Sequence, residues 1–338
     1  MRNLRRGSRI VGALALAAST VACADEDPPL GKDPSDTTHD ETSDPIVGAC
    51  CGIGSTDPST DGFRLSVQDG NPAPFFEAEG TKLYLVPYNS TVIALYDGSA
   101  WVYRSPVGTV KAEGPFPPNT NYAVYAYWDG TTVQLELTNS TNNSVQDGVQ
   151  VKNGDPSRRY IGAVRSGWYG AILDNRAQRF VWNRHNQVPH PILKTYLSGW
   201  SFSGTNSWRP VSGNPANGRV EVMVGEAHGG WAPHSATAIS VSVTGMCTSS
   251  LNGYWVAAGI GINSTTSVPM NAAQTNELDV AGPNSYAHIS SSYEGYLFPG
   301  YNTVNWLEIG MMGATYSCIG HATSPPFGQL GLVGTVLM

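Results

Sequence analysis

The chain has 338 residues, a formal net charge of −7 and 13% charged side chains, about half the usual charged share near 25%. Gly, Ser, Thr, Asn and Tyr fill the gap. That composition excludes a helix-rich fold and offers no broad basic surface for a nucleic-acid partner.

Arg2, Arg5, Arg6 and Arg9 precede an apolar run from Ile10 to Ala18, which leads into Ser19-Thr20-Val21-Ala22-Cys23. This is the layout of a bacterial secretory signal. The run is shorter than the roughly 20 residues a spanning helix needs. Cys23 makes the segment resemble a lipobox, in which the thiol takes a lipid and becomes the first mature residue. Thr20 stands where such signals usually carry Leu, and Ala22-Cys23-Ala24 also fits the small-x-small rule of ordinary signal peptidase. Residues 1–23 are therefore expected to be a signal peptide with a lipobox. The mature chain is expected at the outer membrane or cell surface, touching the membrane only through its lipid anchor. A secreted soluble chain is the alternative.

Residues 24–48 are expected to form an acidic, disordered tether. Asp25, Glu26, Asp27, Asp33, Asp36, Asp40, Glu41 and Asp44 face a single Lys32, and Pro28, Pro29, Pro34 and Pro45 break any helix. Such a segment has too little to bury.

Residues 49–152 read as a hairpin-rich β module. Strand-like runs occur at Thr81–Val86, Ser90–Leu95, Trp101–Tyr103, Tyr122–Tyr127 and Thr132–Leu137. Asp97-Gly98 and Asp129-Gly130 supply turn chemistry between alternating arms. Cys50 and Cys51 form a vicinal pair, bridge copies of the chain or stay reduced. Cys247 and Cys318 are expected to form a disulfide, which an oxidising compartment allows.

Residues 153–196 concentrate positive charge: Arg158, Arg159, Arg165, Arg176, Arg179, Arg184 and Lys194. They read as a basic connector with a short helix, capped by Asp174, that carries Ala177, Phe180 and Val181 on one face and ends before Pro189. Two uses of the arginines compete. One is an acidic or sulfated glycan. The other, favoured, is local pairing with carboxylates or stacking on Trp168 and Trp182.

Residues 197–338 return to β texture at Val220–Val224, Ala238–Val243, Tyr254–Ile262, Thr303–Ile309 and Leu330–Val336. Strands separated by Gly, Ser and Pro loops predict a jelly-roll-like β-sandwich. The fold class expected for the whole body is all-β.

Four segments carry a family resemblance, the last running from Tyr301 through Trp306-Leu307-Glu308 to Gly331-Leu332-Val333-Gly334. Leu83-Tyr84-Leu85-Val86-Pro87-Tyr88, with Ile93 to Trp101, is similar to a module of tailed-phage tail-fibre and virion-surface proteins. Gln146-Asp147-Gly148-Val149 with Arg158-Arg159-Tyr160-Ile161-Gly162, and Arg179-Phe180-Val181-Trp182-Asn183-Arg184, follow in that family's order. The resemblance spans about residues 62–338. His185 and Gln187 depart from its pattern. It implies a β-rich, often trimeric, surface-binding module, and it carries over no reaction and no functional residues.

No catalytic motif appears. His185 with His190, and His228 with His234, lack the spacing of a helical zinc motif, and the cysteines lack C-x-x-C. They are read as loop histidines, with no metal and no cofactor expected. Glu221, Glu226, Glu294 and Glu308 offer no distinguished pair for glycoside hydrolysis. Aromatic side chains are the better lead, because exposed rings stack on sugars and dominate binding surfaces. Trp231, Tyr293 and Trp208, with the loop histidines His228 and His234, are the expected ligand-binding residues. The function expected is a non-catalytic, lipid-anchored surface protein with a phage-fibre-like head that binds glycan or another surface, its affinity multiplied in a homotrimer. A coat or appendage subunit and a surface polysaccharide hydrolase are the alternatives.

Overall fold

The computed structural model describes residues 56–74, 77–139, 141–226, 236–277, 285–320 and 330–338. Cys23, the tether, Cys50, Cys51, His228, Trp231 and His234 lie outside them.

The first part is a succession of short strands: β1 (Phe63–Ser66), β2 (Ala78–Gly80), β3 (Lys82–Pro87), β4 (Ile93–Tyr96), β5 (Trp101–Arg104), β6 (Val110–Glu113), β7 (Asn121–Trp128), β8 (Val133–Thr138), β9 (Asn143–Gln146) and β10 (Val149–Lys152). Next come β11 (Asp155–Arg165), β12 (Ile172–Asp174), β13 (Gln178–Arg179), β14 (Val181–Asn183) and β15 (Pro189–Lys194). The rest holds β16 (Trp200–Ser203), β17 (Arg209–Pro210), β18 (Arg219–Val224), β19 (Thr237–Ser249), β20 (Val256–Ile262), β21 (Ala273–Glu277), β22 (Ala287–Leu297), β23 (Gly300–Gly310), β24 (Thr315–Cys318) and β25 (Gly331–Leu337). Among the described residues, helical turns occur only as two short 3-10 segments, Val211–Gly213 and Pro215–Asn217. No helix there is long and apolar enough to cross a membrane.

The all-β class is as expected. A large sheet runs in the order β15-β25-β19-β22-β21-β20-β23-β18-β13-β12-β2. It folds over on itself at β21, which pairs with β22 on one side and β20 on the other. β19 and β22 then pack face to face with β20, giving a sandwich-like arrangement. Alternation builds the facing layer: Ile239, Val241 and Val243 are buried while Ala238 and Ser240 are exposed. Trp306 of β23 fills the interior and meets Trp200 edge to face at 5.6 Å. A second sheet, β8-β7-β11-β10-β9 with β14 on β11, packs through the same hydrophobic cluster, which extends from Phe63 to Met338. The expected disulfide between Cys247 and Cys318 is formed, joining directly paired residues of β19 and β24.

The helix expected in 153–196 does not form. Asp174 and Arg179 pair across a tight β12–β13 hairpin, joined by a buried ion pair of 2.9 Å. Asn175 Oδ1 accepts from the backbone N–H groups of Ala177 and Gln178, closing the turn where a helix would continue. Phe180, Val181, Trp182 and Asn183 are buried in succession, the signature of a strand covered on both faces. The stretch is also no mere connector, because β11 lies between β7 and β10 in the second sheet.

Candidate functional site

Two of the expected binding residues lie within the described structure, and neither forms an exposed platform. Tyr293 is 7% exposed and belongs to the core, its hydroxyl folded against Gly295. A side chain on the inward face of β22 cannot stack on a ligand. Trp208 is half-buried, its ring lying over Gly259 of β20. His190, expected in an exposed loop, is 4% exposed on β15, and His185 is half-buried. Burial first, then nearby arginines, depresses both imidazoles to about 3.

The arginines of 153–196 are largely committed to the fold. Arg159 is buried and donates to the carbonyls of Pro58, Ser59, Thr60 and Ala94. Arg158 binds Glu136 at 2.8 Å and lies over the Tyr127 ring. Arg165 donates to Asn121 and lies 4.2 Å from the Tyr301 ring centroid. Arg184 donates to Gln150. Local pairing therefore accounts for these side chains, and Tyr127 and Tyr301 receive them in place of Trp168 and Trp182. Lys194 differs, because its ammonium makes no ion pair or hydrogen bond among the described residues.

Trp168, expected only as a stacking partner for arginine, and Tyr169, which the sequence did not single out, are the most exposed aromatics among the described residues. They sit at the tip of the turn between β11 and β12, 73% and 90% exposed. Gly167 N donates to Ala171 O at 2.7 Å and Gly170 N to Gly167 O at 3.1 Å, closing the turn. Gly170 has φ +76°, and a Cβ there would meet Phe116 O at 2.4 Å, so only glycine fits. The base is fixed from below: Ser166 Oγ donates to Pro117 O, Phe116 N to Gly170 O, and Asn119 N to Gly167 O. A braced turn thus holds two rings in water, which a chain seeking only burial would avoid.

The rings border a cavity of about 390 Å³ shared with Glu79, Leu173, Asn175 and Gln178. Gln178 also borders a neighbouring cavity of about 250 Å³, lined by Lys194, Arg219 and Glu221. The parallel pairing of β13 with β18 sets Gln178 opposite Glu221, and Gln178 Nε2 donates to Glu221 Oε2 at 2.8 Å. Tyr301 donates its hydroxyl to Glu221 Oε1 at 2.5 Å. Burial, then this carboxylate, pushes the Tyr301 phenol up to about 12, so it stays a donor at neutral pH. Aromatic faces and the Glu79 carboxylate at one end, the Gln178 amide in the middle, and Lys194, Arg219 and Glu221 at the other offer stacking surfaces and hydrogen-bonding groups together.

The other carboxylates weighed for catalysis have separate settings. Glu308 is buried on β23 under Trp200 and Arg209. Glu226 accepts from Asn143. Glu294 lies on the outer face of β22, in a depression of about 550 Å³ with Ser240, Tyr296 and Thr335. That depression is larger than the Trp168 cavity but lies on a sheet face lined by Ile239, Val336 and Leu337, with one tyrosine, Tyr296. Among the described residues, no three His, Cys, Asp or Glu side chains gather to hold a metal.

No family model matches the chain, and no curated protein matches it by sequence. Among solved structures it is similar to the insecticidal delta-endotoxin Cry8Ea1 of Bacillus thuringiensis, at 8% identity and a TM-score of 0.20. That comparison covers 82% of this chain and 51% of the toxin. A Cry1Da tryptic core variant from Bacillus thuringiensis gives 9% identity and a TM-score of 0.16, over 71% and 48%. The chain spans about half the length of each toxin.

Proposed function

We propose that this is an exported surface protein, lipid-anchored at Cys23, whose β body binds a glycan through Trp168 and Tyr169. The observation that carries the reading is the braced Gly167–Ala171 turn presenting two exposed rings beside the polar side chains of Glu79, Asn175 and Gln178. Sugar rings offer apolar faces to aromatic side chains and hydroxyls to amides and carboxylates, so this mixture fits them. The basic, apolar start and the acidic spacer support a folded head held away from a membrane. The resemblance to phage fibre modules supports a surface-binding head.

Affinity electrophoresis of the full chain through gels loaded with different polysaccharides tests the reading. Retardation by at least one polysaccharide, lost in Trp168→Ala, is the expected result. Retardation that survives Trp168→Ala but disappears in Trp231→Ala would move the site to the loop expected from the sequence.

A further inference from the structure

The glycan-binding reading leaves the ligand's charge open, and the second cavity speaks to it. Resting on that reading, we infer that the ligand is an anionic saccharide, with its carboxylate or sulfate group held between Lys194 and Arg219 and its sugar rings stacked on Trp168 and Tyr169.

Most basic side chains in this part of the molecule are spent inside the fold; Lys194 is not, and Arg219 keeps part of its guanidinium free of hydrogen bonds. Lys194 has no partner for its ammonium among the described residues. Arg219 uses Nε on Asn305 Oδ1 at 3.2 Å, while its Nη1 is 3.9 Å from Glu221 Oε1, beyond hydrogen-bond length. Glu221 is the single carboxylate lining this cavity, and both its oxygens are engaged, one by Gln178 and one by Tyr301. The lining therefore holds two cations against one carboxylate, which pairs with Arg219 and leaves the Lys194 charge unbalanced. Asn305, which receives Arg219, is itself buried and donates to the carbonyls of Gly261 and Ser264, so the arginine stem is anchored to the sandwich.

A neutral sugar would gain little from these cations. An anionic substituent would gain charge-assisted hydrogen bonds, roughly twice as strong as neutral ones. The chain as a whole carries −7, so its general field repels anions, and local positive charge is needed to admit one. Gln178 lines both cavities, so the two adjoin at this residue, with Glu79 on the ring side.

The test titrates the full chain with polygalacturonate and with the same polymer fully methyl-esterified, then with dextran sulfate and dextran. The first pair reads a carboxylate and the second a sulfate. The expected result is at least a tenfold preference for the charged member of one pair, shrinking at about 0.5 M salt. Lys194→Gln with Arg219→Gln should abolish the preference, and Lys194→Arg should retain it, with thermal melts showing the variants folded. Equal affinity within both pairs, no binding of any of the four polymers, or a preference unchanged in the double variant overturns the inference. If Trp168→Ala weakens all binding while the double variant changes nothing, the glycan face stands and the charge claim falls. If Trp168→Ala changes nothing, the glycan face itself falls.

Discussion

Arg64 Nη2 lies 3.1 Å from Nε2 of His190, with both side chains buried. The guanidinium also donates Nε to Pro72 O at 2.8 Å and Nη1 to Met338 O at 3.1 Å and to Asn186 O. One arginine thus joins the edge strand β1 to the loop before β15 and to the end of β25. A guanidinium only donates, so His190 Nε2 must accept and stay unprotonated.

This relationship makes the fold acid-sensitive. Burial and then neighbouring arginines hold His185 and His190 at about 3, below the ordinary 6.5. Between those values the unfolded chain binds protons that the folded chain refuses, so their stabilisation is present above pH 6.5 and lost towards pH 3. Asp174, raised by burial to about 6, opposes them over part of that range. The useful quantity is therefore the difference between variant and parent. Urea midpoints measured against pH should fall less steeply in acid for His190→Gln, which keeps an acceptor for Arg64. Parallel curves would contradict the assignment.

Glu308 has the opposite sign. Trp200 Nε1 donates to Oε2 at 2.6 Å and Arg209 Nε to Oε1 at 3.0 Å, yet burial outweighs both and raises the carboxyl to about 7. Its contribution is full below the ordinary 4.5 and is lost as pH rises through 7. Because Trp200 bonds this group directly, tryptophan emission should titrate with a midpoint near 7. Glu308→Gln should remove that transition; emission in the parent that is flat across neutral pH would contradict the account.

The Cys247–Cys318 bond closes a loop spanning 71 positions and pins β24, which also carries β16. On the chain-entropy model such a closure contributes about 4.4 kcal/mol. The double variant Cys247→Ala with Cys318→Ala should lower the denaturation midpoint clearly, as should reduction of the parent. An unchanged midpoint would show the bond to be energetically idle.

Gly225 follows β18 where Trp182 and Tyr160 converge. A Cβ there would sit 2.3 Å from Trp182 Cε3 and 2.5 Å from the Tyr160 hydroxyl. Gly225→Ala should cost about 1–3 kcal/mol by overpacking, visible as a lower melting temperature. A melt equal to the parent's would mean the rings yield freely.

Local turn chemistry was legible in the sequence, though not always in its detail. Asp97-Gly98 and Asp129-Gly130 do join β4 to β5 and β7 to β8, but only their glycines have positive φ. The aspartates act as acceptors for the N–H groups of the following turn residues. The tight two-residue turn with both φ values positive is Asp147-Gly148, between β9 and β10. The false helix arose because Ala177, Phe180 and Val181 mimic a helical face, while the Asn175 turn and the Asp174–Arg179 pair that decide the matter act through geometry. Because flanking glycines in a basic stretch read as connection, the sequence points to Trp168 only as an arginine partner and not to Tyr169. Their exposure depends on Pro117, Asn119 and Phe116, about 50 residues earlier, which brace the turn.

The most direct test of the central claim is calorimetric titration of the saccharide that retards the full chain, into the parent and into Trp168→Ala and Trp168→Phe. Loss of a stacking ring should weaken binding at least tenfold, about 1.4 kcal/mol, and phenylalanine should restore most of it. Equal affinity in all three proteins would contradict a glycan site at Trp168.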